Sequence, residues 1–374
     1  MLCGRCSAAP IRKLGEFAIN ICFYTSDIYE AGGIGRVTSL IAGKLSEENN
    51  VFVLSLTASD KAMTRISENI SVEVQFEGRI SIRKHFCSCV KKTRAYIIRN
   101  QIDVLICSSE MLAPICALAV AGIKTQYFAW LHANIDIVAE YKLQGLCRMI
   151  AVKTAKKIIV LTEEMKEKYA NRYHSINVSV IENPIDEQLI KPVKYARESK
   201  RIISVGRLVP AKNYEMLVDV ANIVLKKHQD WSWDIYGDGQ LRKQLQNRIN
   251  QSGLTAWLHL RGAVDDIYDR YGDYSFLVMT SSYEGFPMVL LEGMANGLPL
   301  VAFDVTTGPK YIIHNNENGF LVPEISAKKM ADVVEELIEN KQKRLTMSMA
   351  AMKRREEFSV DSVLTKWESL LKSI

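Results

Sequence analysis

The chain has 374 residues, of which 48% are hydrophobic and 24% are charged. These values are typical of globular proteins and exclude the disordered and fibrous classes, and the length predicts about two domains. The longest nearly apolar run, residues 111–123, is shorter than the roughly 20 residues of a membrane-spanning helix. Because the N-terminus also lacks the apolar stretch of a secretory signal, we expect a cytoplasmic protein, at most attached to the inner face of the cell membrane.

The formal net charge of +6 comes from the first half of the chain. Residues 1–180 contain 23 Lys and Arg against 16 Asp and Glu, a balance of +7, whereas residues 181–374 contain 25 against 26, a balance of −1. A basic half is compatible with an anionic membrane surface or an anionic acceptor. The alternative is a solvated basic face without a partner. No nucleic-acid-binding motif is found, so we expect no nucleic-acid partner.

The eight cysteines do not form paired dyads at the spacing of a zinc site. The segment 79–99 contains seven Lys and Arg and no acidic residue. This segment could form a surface helix on an anionic leaflet, and a solvated helix face is the alternative. We therefore predict no metal site and leave peripheral membrane association open.

Short apolar runs alternate with helical patterns along the chain. In the first half, strands are predicted over 18–24, 51–56, 103–107, 126–130 and 157–161, and helices over 35–45, 111–121 and 163–172. In the second half, strands are predicted over 201–205, 232–236, 257–260, 275–279 and 298–303, and helices over 213–227, 241–250 and 288–296. This alternation predicts an α/β fold with parallel sheets covered on both faces.

A domain boundary is predicted near residues 183–200. The dipeptide Asn183-Pro184 interrupts the preceding strand, and residues 191–200 are polar and charged, as in a linker. We therefore predict a first domain over 1–186 and a second over 187–357. In doubly wound folds, ligands usually bind at the carboxyl ends of the strands.

Residues 204–213 combine features that suit a phosphate group. Gly206 permits a tight exit from the predicted strand, and the cations Arg207 and Lys212 flank a helix start at Asn213, which is a good N-cap residue. Cations beside a helix N-terminus favour an anion. The alternative is a solvated loop.

Residues 281–299 contain two glutamates eight positions apart. Glu284 follows a predicted strand, next to Gly285. Glu292 lies within a helix that begins near Pro287, about two turns deeper than Glu284. Backbone N–H groups at this helix start would face an anion, and a carboxylate there could accept hydrogen bonds from hydroxyl groups. For a glutamate pair considered alone, exposed helix charges are the alternative.

With the segments 235–239 and 303–309, these motifs resemble the retaining glycosyltransferases of family 4. The resemblance is most specific over residues 201–325 and weaker over 18–183. It implies the GT-B fold, in which two Rossmann-like domains face each other across a cleft. It also implies that the C-terminal helix, residues 358–374, packs back on the first domain. The segment 303–309 looks like bacterial enzymes that build capsule, exopolysaccharide or lipopolysaccharide.

The resemblance implies a role for each matching residue. Arg207 and Lys212 correspond to the pair that binds the donor diphosphate, Glu284 to the carboxylate near the donor sugar, and His132 to the histidine near the transferred sugar; we assign these four catalytic roles. Glu292 corresponds to the carboxylate that binds the ribose. The other donor-binding residues are Gly32, Gly33, Gly206, Gly237, Arg261, Gly262, Gly285, Phe286, Pro287, Met288 and Val289. Taken alone, Gly32-Gly33 would indicate only a turn, and His132 a structural histidine.

The implied activity is retaining transfer of a hexose from a nucleotide sugar, a UDP-hexose, to a glycan or lipid-linked acceptor in surface polysaccharide biosynthesis. No Asp-x-Asp motif, by which transferases of the other major fold bind a metal, occurs in the chain. We therefore expect no cofactor and no metal. Two alternatives stay open, a GT-B UDP-sugar epimerase and a non-catalytic partner protein with this fold; the presence of Arg207, Lys212, Glu284 and Glu292 together argues against the second.

Overall fold

The computed structural model describes residues 18–30, 32–59, 66–136, 142–189 and 198–372. The chain divides into two compact units. The first unit comprises Met1–Glu182 together with Val363–Ile374, and the second comprises Asn183–Ser362. The chain therefore leaves the first unit four residues before the boundary predicted from the sequence and re-enters it near the C-terminus.

The first unit contains a seven-stranded sheet in which all strands are parallel. Its strands are β1 (Asn20–Asp27), β2 (Asn50–Thr57), β3 (Ser71–Val74), β4 (Val104–Cys107), β5 (Gln126–Trp130), β6 (Lys157–Val160) and β7 (Val178–Val180). They lie in the order β3-β2-β1-β4-β5-β6-β7. The helices between them are α1 (Gly33–Leu45), α2 (Ile82–Arg99), α3 (Ala113–Val120), α4 (Lys142–Thr154) and α5 (Glu163–Tyr173).

The second unit contains a six-stranded parallel sheet. Its strands are β8 (Arg201–Val205), β9 (Ser232–Tyr236), β10 (Leu258–Gly262), β11 (Phe276–Met279), β12 (Leu300–Phe303) and β13 (Gly319–Val322), in the order β10-β9-β8-β11-β12-β13. Its helices are α6 (Tyr214–Lys227), α7 (Arg242–Gln251), α8 (Ile267–Arg270), α9 (Met288–Ala295), α10 (Pro309–Ile312), α11 (Ala327–Glu339) and α12 (Lys341–Arg354). In the core of the second unit, Trp233 and Ile235 of β9 pack with Leu217 and Val224 of α6.

The last helix, α13 (Val360–Leu371), supplies an aromatic side chain to the first unit. Trp367 is fully buried, with its ring centroid 4.9 Å from that of Trp130 and 6.2 Å from that of Phe23. Edge-to-face contacts of this kind add to the free energy gained by burying large rings. The C-terminal segment is therefore part of the core of the first unit.

The α/β class and the two Rossmann-like parallel sheets predicted from the sequence are confirmed. Three strands were not predicted. The edge strand β3 is half-exposed and lacks a continuous apolar run, and β7 is only three residues long. The third, β13, begins at Gly319, where a Cβ atom would lie 2.0 Å from the carbonyl oxygen of Leu300. The glycine allows close strand approach but resembles a turn signal in the sequence.

Candidate functional site

Three of the predicted glycines meet at the carboxyl ends of neighbouring strands. Gly206 follows β8, Gly237 follows β9 and Gly262 ends β10. The N–H of Gly206 donates to the carbonyl of Tyr236 at 2.9 Å, and the N–H of Gly237 donates to that of Gly262 at 2.8 Å. A Cβ atom at position 237, where φ is +133°, would lie only 2.0 Å from the Gly206 carbonyl oxygen. Glycine is therefore required at position 237 for the chain segments that leave β8 and β9, here called the glycine exits, to lie side by side.

Lys212 and Glu284 form an ion pair at this edge of the sheet. The Lys212 Nζ lies 2.5 Å from the Glu284 Oε1, and the two side chains are 22% and 11% exposed. Lys212 ends a short 3-10 turn after β8, and Glu284 lies in the loop after β11. Because β8 and β11 are adjacent in the sheet, the fold brings together two residues that are 72 positions apart in the sequence.

Hydrogen bonds to main-chain groups fix both loops. The Thr280 Oγ1 donates to the carbonyl oxygens of Lys212 and Asn213, both at 3.1 Å. The N–H of Ser282 donates to the Ala211 carbonyl at 3.0 Å. The positions of the Lys212 and Glu284 backbones are thus determined by the fold as well as by their own contact.

Arg207 lies in the same loop as Lys212 and is exposed. Within the part of the chain that the structure describes, its guanidinium makes no hydrogen bond and no ion pair. It is therefore an uncompensated positive charge five residues before the Lys212–Glu284 pair. A cation and an ion pair at the carboxyl edge of a parallel sheet suit an anionic ligand.

The loop before α9 packs against the segment that follows β12. The Thr307 Oγ1 donates to the Glu284 carbonyl at 2.7 Å. At Gly308, where φ is +77°, a Cβ atom would lie 2.7 Å from Pro287 Cδ and 2.8 Å from the Gly285 carbonyl oxygen. The predicted residues Gly285, Phe286 and Pro287 therefore sit in a tightly packed turn, and Met288 and Val289 form the first, half-buried turn of α9.

Glu292 is a buried residue of α9, with only 3% of its surface exposed. Its Oε2 accepts a hydrogen bond of 2.5 Å from the hydroxyl of Tyr271, which is fully buried. The interpretation of Glu292 as an exposed helix charge is therefore wrong. A buried carboxylate with a fixed hydrogen bond suits the recognition of a hydroxyl group. The sequence gives no local signal for Tyr271, because the contact depends on tertiary packing.

The side chain of Arg261 contacts Asp234 within the sheet. Its Nε donates to the Asp234 Oδ1 at 2.7 Å, and the Oδ2 accepts from Arg201 Nη2 and from the Tyr274 hydroxyl, both at 2.8 Å. Burial raises the pKa of this carboxyl, but the three donors outweigh burial, and its net pKa lies below the usual value. The guanidinium of Arg261 thus turns back along the sheet, and its backbone, with that of Gly262, remains at the carboxyl end of β10.

Three predicted residues belong to the first unit. Gly32 precedes α1 and Gly33 begins it. His132 lies two residues after β5, with its ring centroid 4.4 Å from that of Trp130. Burial lowers the pKa of His132 to about 3, so its imidazole is neutral at physiological pH. Its Nε2 makes no hydrogen bond to any residue that the structure describes.

The described residues form neither a metal-binding cluster nor a membrane-spanning helix. Among them, no group of three His, Cys, Asp or Glu side chains is arranged to hold a metal ion. None of the helices formed by these residues combines the length and apolarity that crossing a membrane requires.

Two family models match consecutive parts of the chain. The model described as Glycosyltransferase Family 4 matches residues 31–189, and the model described as Glycosyl transferases group 1 matches residues 186–354. An uncharacterized glycosyltransferase of Haemophilus influenzae is 28% identical over 362 residues, covering 96% of this chain and 100% of that protein. The amylovoran biosynthesis glycosyltransferase AmsD of Erwinia amylovora is 26% identical over 358 residues, covering 92% of this chain and 97% of that protein.

Solved structures align with most of this chain. HepE of Anabaena, in complex with UDP, aligns with a TM-score of 0.80 and 19% identity over 95% of this chain and 100% of its own; at that identity the likeness shows the fold. A TarM mutant of Staphylococcus aureus, in complex with Fondaparinux, alpha-GlcNAc-glycerol and UDP, aligns with a TM-score of 0.67 and 25% identity. This alignment covers 75% of the present chain and 58% of TarM.

Proposed function

Because this chain belongs to the family 4 glycosyltransferases of GT-B fold, we propose that it transfers a hexose from a UDP-hexose, with retention of configuration. The acceptor in this proposal is a glycan or lipid-linked sugar in surface polysaccharide biosynthesis. The amylovoran transferase, which this chain matches over nearly its whole length, supports the assignment to polysaccharide synthesis. The TarM complex, whose ligands include UDP, supports the choice of nucleotide.

The observation that carries the proposal is the cluster at the carboxyl edge of the second sheet. Exposed Arg207 and the Lys212–Glu284 pair lie beside the glycine exits of β8 and β9. Glycine exits let a ligand approach the backbone closely. Buried Glu292 lies about one turn into α9. The cluster thus offers positive charge for a diphosphate and carboxylates for hydroxyl groups, which are the two chemistries of a nucleotide sugar.

In the proposed reaction, the bond between the anomeric carbon and the diphosphate oxygen breaks, and the acceptor oxygen bonds to that carbon on the same face. The acceptor proton passes to the leaving phosphate. Arg207 and Lys212 stabilise the negative charge that develops on the diphosphate. Electrostatic stabilisation of this kind is usually the largest single contribution to catalysis. Glu284 orients the sugar hydroxyls. In this scheme, the two cations take the part that a metal ion plays elsewhere.

The epimerase alternative is not favoured, because both family models and the relatives compared above are glycosyltransferases. The alternative of a non-catalytic partner would allow the donor site to decay. Arg207, Lys212, Glu284 and Glu292 are all present, and the last three make defined contacts. A site of this completeness supports a working enzyme.

The basic helix α2 supports the proposal of an acceptor on an anionic surface. Lys84, Lys91 and Ile98 follow one another at seven-residue spacing and are all exposed, so they share one face of the helix. Among the described residues, neither lysine has an ion-pair partner. We expect the protein to float with phosphatidylglycerol vesicles and not with neutral vesicles. The double variant Lys84→Glu/Lys91→Glu should no longer float with phosphatidylglycerol vesicles. Equal binding of both proteins would overturn the membrane proposal.

The donor is tested by thermal unfolding with UDP-, GDP- and ADP-sugars, each in the presence of EDTA. A ligand at about 100 times its Kd should stabilise the folded protein by roughly 2.7 kcal/mol. We expect a shift with UDP-sugars that survives EDTA and shrinks in Arg207→Ala, with no change in the exposed control Lys243→Ala. The anomeric configuration of the product, read by NMR, tests retention. No shift with any nucleotide sugar would contradict the proposed donor.

A further inference from the structure

Apart from the residues discussed so far, the first unit contains a buried ion pair. Glu110 opens a short 3-10 turn after β4, and Arg148 lies in α4. The Arg148 Nη2 lies 2.9 Å from the Glu110 Oε1, with side-chain exposures of 1% and 6%. Gln144 Nε2 donates to the same Oε1 at 3.1 Å.

A buried ion pair is weak evidence for stability, because removing two charges from water offsets much of their attraction. The second contact of Arg148 indicates another role. Its Nη1 donates to the carbonyl oxygen of Ile135 at 2.9 Å, in the loop of residues 131–136 that follows β5. The same carbonyl accepts from Arg172 Nη1 at 3.3 Å. The adjacent Asp136 is ion-paired with Lys168 at 2.5 Å.

This loop contains His132, whose imidazole has few fixed contacts of its own. One end of the loop is anchored by the N–H of Leu131, which donates to the Ile159 carbonyl at 2.8 Å. The other end is anchored at Ile135 by Arg148. Between them, His132 packs on Trp130, and its Nε2 makes no hydrogen bond within the described part of the chain. The direction of the imidazole therefore depends on the backbone of the loop.

We propose that Glu110 and Arg148 are positioning residues for His132. Glu110 orients the guanidinium of Arg148, the Nη1 of Arg148 fixes the Ile135 carbonyl, and the fixed loop presents the imidazole to the transferred sugar. The first two steps rest on the contacts described above, and the last rests on the proposed function. Neither residue is expected to touch the substrate.

The test uses the double variant Glu110→Leu/Arg148→Met. It removes both charges together, so that neither is left buried without its partner, and such replacements are often tolerated. If the double variant does not fold, Arg148→Lys is the second variant. It keeps a charge opposite Glu110 but loses the planar geometry with two donating nitrogens. Exposed Lys153→Met, in the same helix as Arg148, is the control, because Lys153 makes no ion pair with any described residue.

The first readout is the imidazole NMR signal of His132, assigned with His132→Ala among the six histidines of the chain. We expect this signal to move or broaden in the double variant, while the other histidine signals stay in place. An unchanged His132 signal in a folded double variant would overturn the proposal. This readout does not depend on the reaction. If the His132 signal moved although the protein had no transferase activity, the proposed function would fail while the positioning role of Glu110 and Arg148 would stand.

The second readout is kinetic. In the double variant we expect kcat for transfer to fall at least tenfold, whereas the Kd for UDP, which lacks the sugar, changes less than twofold. Introduced into His132→Ala, the double substitution should then cost little further activity, because both changes act through the same imidazole. Additive losses would show that the pair acts independently of His132 and would contradict the proposal.

Discussion

At the residue scale, Glu284 offsets the charge of Lys212 and, within the described part of the chain, leaves Arg207 as the uncompensated cation of the candidate donor site. The Lys212 Nζ and the Glu284 Oε1 are 2.5 Å apart and belong to two partly exposed loops. An anion that binds Lys212 therefore comes close to the Glu284 carboxylate. The same glutamate that is proposed to orient the sugar hydroxyls should oppose the binding of a bare diphosphate.

We accordingly predict that Glu284→Gln binds UDP more tightly than the wild type and transfers sugar more slowly. Two charges several Å apart near a protein surface interact by roughly 1–3 kcal/mol, and partial exposure reduces this to a gain of about tenfold in Kd. Isothermal titration with UDP and the kcat for transfer measure the two effects. The control is Glu317→Gln, which lies at the opposite end of the sheet, before β13. Weaker UDP binding in Glu284→Gln would show that Glu284 attracts the nucleotide.

Glu292 and Tyr271 give a second prediction at this scale. Their 2.5 Å hydrogen bond joins two buried side chains, and losing a bond to a buried charged group costs about 1–3 kcal/mol. In Tyr271→Phe we expect UDP to bind roughly tenfold more weakly, whereas 2′,3′-dideoxy-UDP, which has no ribose diol, binds with nearly unchanged affinity. A structural role alone would weaken both nucleotides equally. Comparing the two Kd values decides between these outcomes.

The sequence predicted those site residues whose type and spacing lie within one short segment. Arg207 with Lys212, and Glu284 with Glu292, are such pairs. Tyr271, Thr280 and Asp234 were missed, because each acts through a partner that only the folded sheet brings near. Asp234 in particular lies within a strand, where sequence patterns describe burial and not hydrogen-bond partners. The ion pair of Glu110 and Arg148 was missed for the same reason.

At the element scale, the glycine exits of β8 and β9 determine the shape of the edge where the cluster lies. We predict that Gly237→Ala destabilises the second unit by about 2–4 kcal/mol, from backbone strain and a clash with the Gly206 carbonyl. Gly253→Ala is the matched control, because Gly253 also has a positive φ of +69° but no atom within 4 Å of the added Cβ. Its cost should stay near 1 kcal/mol. Chemical denaturation measures the free energy of unfolding of both variants. Equal losses would show that the close contact between Gly237 and the Gly206 carbonyl does not account for the destabilisation.

Element predictions succeeded where the local pattern matched the burial. β4, β11 and β12 are buried at every position, so their apolar runs identified them as strands of a covered parallel sheet. The helices α4, α8, α10, α11 and α12 were not predicted. α11 buries Met330, Val334 and Leu337 at helical spacing, but charged residues separate them, so no continuous apolar run marks this helix in the sequence.

At the scale of the whole molecule, the chain forms two units, and the first is completed by residues from the C-terminus. Trp367 is fully buried against Phe23 and Trp130 of that unit. The family resemblance implied that the C-terminal helix returns to the first domain. Burial of Trp367 stabilises this arrangement, because removing a large ring from water contributes several kcal/mol to the free energy of folding.

The final prediction follows from this division. Trp367→Ala should destabilise the first unit by about 3–5 kcal/mol, the usual effect of removing a large buried ring. Because a two-unit protein need not unfold in one step, the measurement is hydrogen exchange of peptides from each unit. We expect faster exchange in β1 and β5 and little change in β8 and β9. Trp231→Ala, in the core of the second unit, should give the reverse pattern. If both variants accelerated exchange equally throughout the chain, the two units would unfold as one cooperative body.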